Sequence, residues 1–169
     1  KNIDQIIKSF NTFNGEWLLR AVQNQGHDKR EKMSIVAAIK HALINLEKDT
    51  ITWVPVSMEE IVRVAGNIRL NRKDGIFSGM TIGKTGNCSD DLLLIGLEVA
   101  EDIKLHLYPV EVKIGYNNND VIEKGISQVR ELNRRLTEFL IDDASFNAKF
   151  LRNFFARMYI INANKTKID

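Results

Sequence analysis

The chain switches between two apolar periods. Between residues 29 and 48, Met33, Val36, Ala37, Ile39, Ala42 and Leu43 form one stripe at helical spacing, with charges on the other side. Ile3, Ile6, Ile7 and Phe10, then Trp17, Leu18, Ala21 and Val22, repeat that spacing. Asn14-Gly15 interrupts them, which predicts two short helices with Asn14 as the cap of the second. Thr50 to Val56 (TITWVPV) is rich in β-branched residues and reads as a strand. Ser57 with Glu59 and Glu60 forms a capping box that opens a short helix, and Gly66 closes it.

Leu92 to Val99 (LLLIGLEV) is a nearly continuous apolar run, and Ile103 to Ile114 (IKLHLYPVEVKI) alternates. Ala100-Glu101-Asp102 separates them, so the pair predicts a hairpin. After a polar loop, Asp120 is the expected cap of a helix from Val121 to about Ile141. Its apolar positions are Ile122, Ile126, Val129, Leu132, Leu136 and Phe139. A last helix is expected from Ser145 toward Thr166, with Phe146, Phe150, Phe154 and Phe155 assigned to the core. Helices and strands in this order predict an α/β or α+β class.

Composition narrows the picture without naming a partner. The 169 residues are 44% hydrophobic and 27% charged, with a formal net charge of +2, which suits one globular domain over 1–169. The single cysteine, Cys88, excludes an internal disulfide and points to a reducing, cytoplasmic setting. No apolar run approaches the roughly 20 residues of a membrane span. The chain opens at Lys1 rather than Met, and we expect a piece of a larger protein. Positive charge gathers in residues 66–89, where five glycines accompany Arg69, Arg72, Lys73 and Lys84. This segment reads equally as a solvated linker or as a basic loop facing an anion. Gly79 to Thr85 imitates a phosphate-binding loop, but three residues separate Gly79 from Gly83 where the motif has four.

The informative chemistry lies at the open end of the hairpin. A turn centred on Glu101 sets Asp91 directly opposite Glu111, with Cβ atoms about 4.5–5.5 Å apart. Alternation puts Lys113 on the face of Glu111. Pro109 predicts that this strand is an edge or carries a bulge; a bulge would bring in Asp90 instead of Asp91. Two carboxylates close together repel and raise each other's pKa unless a cation relieves them. Lys113 supplies one charge, and Mg²⁺, with Mn²⁺ as a substitute, is the expected second. Asp91, Glu111 and the carbonyl of Val112 are its expected ligands, with Lys113 beside the attacking water. A Glu-x-Lys strand also reads as a plain exposed ion-pair face.

The set Asp91 … Glu111-Val112-Lys113 on adjacent strands resembles the PD-(D/E)XK nuclease superfamily. The longer stretches WVPVSMEEIVRVAG, DGIFSG, SDDLLLIGLE and HLYPVEVKIG resemble the nuclease-like end of the large ATPase/helicase subunits of DNA-phosphorothioation-dependent restriction systems (the DptH type). The resemblance spans most of the chain. It implies a restriction-endonuclease-like fold, a central mixed sheet flanked by helices. It implies a metal-dependent DNA endonuclease leaving 5′-phosphate and 3′-hydroxyl ends. DNA, a motor domain of the same protein and other restriction-complex subunits are its implied partners; a membrane and a small-molecule substrate are not expected. Glu16 matches an acidic residue of the first helix that completes the metal site, and Gln128 matches a glutamine near the metal or the DNA backbone. Taken alone, Glu16 also fits a helix first turn, and Gln128 a solvated helix face. Arg69, Arg72, Lys73, Lys84 and Lys124 are the expected phosphate contacts. Ser89 stands where the superfamily motif has proline, and the final core strand is expected within Met158 to Asn162 or beyond Asp169. The alternative is a catalytically silent module that keeps the fold and binds DNA or assembles subunits.

Overall fold

The computed structural model describes residues 27–46, 48–58, 61–62, 92–141 and 145–165. The helices expected within 3–25, with Glu16, lie outside the described residues. So does segment 63–91, which holds Arg69, Arg72, Lys73, Lys84, Cys88, Asp90 and Asp91. The order is α1 (His27–Leu46), β1 (Ile51–Ser57), β2 (Leu92–Val99), β3 (Ile103–Val110), α2 (Asn119–Leu140) and α3 (Phe146–Lys165). Ser57 ends β1, and Met58, Ile61 and Val62 follow as buried helical residues.

The strands form a sheet in the order β1-β2-β3, antiparallel at both pairings. Among the described residues this replaces the expected mixed sheet. The hairpin register is the one centred on Glu101: Leu92 pairs with Val110 and Val99 with Ile103. The bulge at Pro109 does not form, because Leu93 pairs with Pro109 in an unbroken ladder. The physical reason is position. The chain's two prolines, Pro55 and Pro109, lie on the outer strands of the described sheet, where a missing N–H need not break the ladder.

Central β2 is apolar on both faces because both are covered. Leu93 and Ile95 join a core with Val54, Val56, Leu132 and Leu136, and with Leu151, Phe154, Phe155 and Met158 of α3. Leu92 and Leu94 join a second core with Ile35 and Ile39 of α1. The architecture is therefore α/β in three layers, with α1 on one face and α2 and α3 on the other. At Gly96 an added Cβ would stand 2.8 Å from the Trp53 ring, so only glycine lets the indole cross β2. Trp53 Nε1 donates to the Leu46 carbonyl at 3.0 Å, satisfying one end group of α1.

Five helix expectations need correction. Ile122 and Ile126 are 48% and 45% exposed, and α2 instead buries Gly125, Gln128, Leu132 and Leu136. The cap of α2 is Asn118, whose side chain accepts from the Val121 N–H, while Asp120 sits in the first turn. Met158 to Asn162 is helix, not strand. Buried Leu151, Phe154, Phe155, Met158, Tyr159 and Asn162 recur every three to four residues, a period a strand cannot present to one face. Phe154 and Phe155 belong to the core, but Phe146 and Phe150 are exposed and stack on each other with centroids 6.3 Å apart. On α1, Ile35 and Ile39 carry the burial and Ala37 faces solvent. No helix among the described residues is long and apolar enough to cross a membrane.

Candidate functional site

β3 leaves the ladder after Val110, yet its alternation continues through Lys113. Val110 and Val112 pack against the α1-side core. Glu111 and Lys113 turn the other way, toward the first turns of α2, where a Cβ on Gly125 would touch Glu111 Cγ and Lys113 Cε at 3.5 Å. Both stems therefore lie within ordinary van der Waals reach of the Gly125 position. One turn further along α2, Gln128 is 8% exposed.

These residues form one polar cluster. Lys113 Nζ donates to Glu111 Oε1 in an ion pair, and to Gln128 Oε1 at 2.8 Å. The Glu111 side chain is 6% exposed and that of Lys113 29%. Glu111 Oε2 is buried and has no hydrogen-bond partner among the described residues. A carboxylate so placed is costly unless a proton, a donor or a cation meets it. This answers the exposed ion-pair alternative for Glu111 and Lys113, since the acid is buried rather than solvated. It also answers the solvated-helix alternative for Gln128.

Three of the five expected catalytic residues, Glu111, Lys113 and Gln128, thus come together. Val112 lies between two of them in sequence, with its side chain on the opposite face. Lys124 is exposed on α2 and is not part of the cluster. Asp91 and Glu16 fall outside the described residues, as do the four basic residues of segment 66–89. Among the described residues no group of three or more His, Cys, Asp or Glu side chains could hold a metal ion. Glu111 alone offers a buried carboxylate oxygen for a hard cation, and oxygen donors of this kind suit Mg²⁺.

Two further charged constellations lie away from this cluster. His106 Nε2 and Glu98 Oε2 hydrogen-bond at 2.9 Å, with the imidazole ring 6.1 Å from Trp53. The bond from His106 holds the Glu98 carboxyl below the usual carboxylate range. Sequence reasoning left His106 unassigned. The signal was the register: Glu98 pairs with Lys104, so His106 is its diagonal neighbour, within side-chain reach. On the outer face of α2, Glu131 accepts from Arg134 and Arg135, and Arg134 also pairs with Glu138. The hydrogen bonds from Arg134 and then Arg135 lower the Glu131 pKa to about 2.

Comparison of the chain with family models, curated proteins and solved structures gives no match.

Proposed function

We propose that this chain is a Mg²⁺-dependent DNA endonuclease domain of the PD-(D/E)XK type, the nuclease part of a phosphorothioation-dependent restriction complex. The observation that carries the reading is the convergence of Glu111, Lys113 and Gln128 beside Gly125, with one buried Glu111 oxygen unpaired. On this reading Glu111 binds the metal together with the Val112 carbonyl. Asp91 is the second carboxylate, as the resemblance implies. Glu16 completes the ligand set. The metal supplies a polarised phosphodiester and an activated water. Lys113 orients that water and offsets charge on phosphorus, and Gln128 holds the ammonium in place. Arg69, Arg72, Lys73, Lys84 and Lys124 attract the DNA backbone, so binding weakens as salt rises.

The test is cleavage of supercoiled plasmid in Mg²⁺ or Mn²⁺ by the intact chain and by Lys113→Ala. Nicking or linearisation by the parent and its loss in the variant is the expected result. Equal activity in both defeats the assignment.

One observation favours the silent-module reading: Lys113 is already engaged by Glu111 and Gln128, as in a purely structural polar cluster. The two readings separate on thermal melting. A metal site raises the melting temperature with Mn²⁺ concentration, and a binding surface without one does not.

A further inference from the structure

We propose that Lys113 is a resident counter-ion that a divalent cation displaces from Glu111, and that Gln128 is the acceptor that keeps the displaced ammonium. The proposal rests on the metal-site reading above and concerns how that site is loaded.

Lys113 Nζ is shared between two acceptors of unequal charge. One is the carboxylate of Glu111, and the other is the neutral amide oxygen of Gln128 at 2.8 Å. Glu111 is too buried to exchange its partner for bulk water, so whatever leaves it must be replaced by another cation or donor. A divalent ion on Glu111 stands beside the ammonium, and like charges at that range repel strongly in a partly desolvated site. One of them must withdraw. Lys113 can do so without losing every hydrogen bond, because Gln128 already accepts from it. Its side chain also keeps 29% exposure, so the head has a route toward solvent. The lysine stem runs beside Gly125, with Cε and Cγ 3.5 and 3.7 Å from where a Cβ would stand. The neutrality of residue 128 matters. An amide holds the ammonium more weakly than a carboxylate does, so Lys113 stays on Glu111 until a cation competes for it.

Gln128 is thus a positioning residue, and the two partners of Lys113 make opposite predictions. Mn²⁺ is titrated calorimetrically, without DNA, into the full 169-residue chain and into Lys113→Met and Gln128→Leu. Thermal melts confirm that each is folded, and Lys113→Gln replaces the methionine variant if that one is not. Removing the competing ammonium is expected to tighten Mn²⁺ binding about tenfold, a usual size for coupling between adjacent sites. Removing its alternative acceptor leaves Lys113 wholly on Glu111 and is expected to weaken Mn²⁺ binding by a similar factor. A lysine variant that binds no tighter, or a glutamine variant that binds no weaker, overturns the exchange while leaving the metal site standing. Absence of Mn²⁺ binding in all of the proteins overturns the exchange and the metal-site reading together.

Discussion

Lys113 and Gln128 stand 15 positions apart in sequence and meet at 2.8 Å between the end of β3 and α2. This contact joins the chain after β3 to α2 through a part-buried polar cluster, alongside the apolar packing of Leu132 and Leu136 against the sheet. It also gives the cluster's charge a defined geometry, because Glu111 and Gln128 hold the ammonium from two sides.

Lys113→Ala should therefore cost stability as well as activity. The substitution leaves Glu111 buried with neither oxygen paired by a described residue. Loss of one partner from a buried hydrogen-bonded charge costs about 1–3 kcal/mol, and the partial exposure of Lys113 favours the low end. Urea denaturation should show a lower midpoint at unchanged slope. The double variant Lys113→Ala with Glu111→Gln should recover part of the loss, since it removes the stranded charge.

Gly96→Ala should be destabilising out of proportion to one methyl group. The new Cβ would lie 2.8 Å from the Trp53 ring and 2.9 Å from Ile51, and the indole is tied to Leu46 by its N–H. Overpacking of this kind costs about 1–3 kcal/mol. Thermal unfolding of the variant, read by Trp fluorescence, should show both a lower midpoint and an altered Trp53 environment.

The rotation of α2 is open to direct test. Ile126→Ser should change stability by no more than about 0.5 kcal/mol, as surface substitutions usually do. Leu132→Ala, at a residue 2% exposed, should cost about 2–5 kcal/mol. Chemical denaturation of both variants measures the contrast, and equal losses would place Ile126 in the core.

The Glu131 network should show its contribution only above acid pH. Its pKa is lowered from 4.5 to about 2 by Arg134 and Arg135, so folding favours the ionised form. The unfolded carboxyl takes up a proton first as pH falls. The stabilisation is therefore full above about 4.5 and is lost between there and about 2. The stability difference between the parent and Glu131→Gln should be constant from neutral pH to about 5 and shrink below it. Added salt should reduce that difference at neutral pH, since the pairs are surface-exposed.

The hairpin was legible in the chain itself. A polar break at Glu101 between two apolar runs leaves one register that keeps Leu93 and Leu107 on a common face, and a slip of one residue would reverse every side chain. The helix over 145–166 and the strand at TITWVPV were legible for the same reason, since a period of 3.6 or of two can be read locally. Burial of Glu111 was not legible, because Glu-x-Lys reads identically on an exposed strand and under a helix.

Among the described residues, the order of the main helices and strands and the pairing of β2 with β3 follow from local periodicity and turn position, which the amino-acid sequence determines by itself. Tertiary packing decided which side of α2 faces the sheet. Apolar spacing defines a helical stripe only to within about one residue, a rotation of some 100°. The choice between Ile122 with Ile126 and Gly125 with Gln128 was made by what lay across from them. There the stems of Glu111 and Lys113 pack beside Gly125, and the Lys113 ammonium takes the amide oxygen of Gln128.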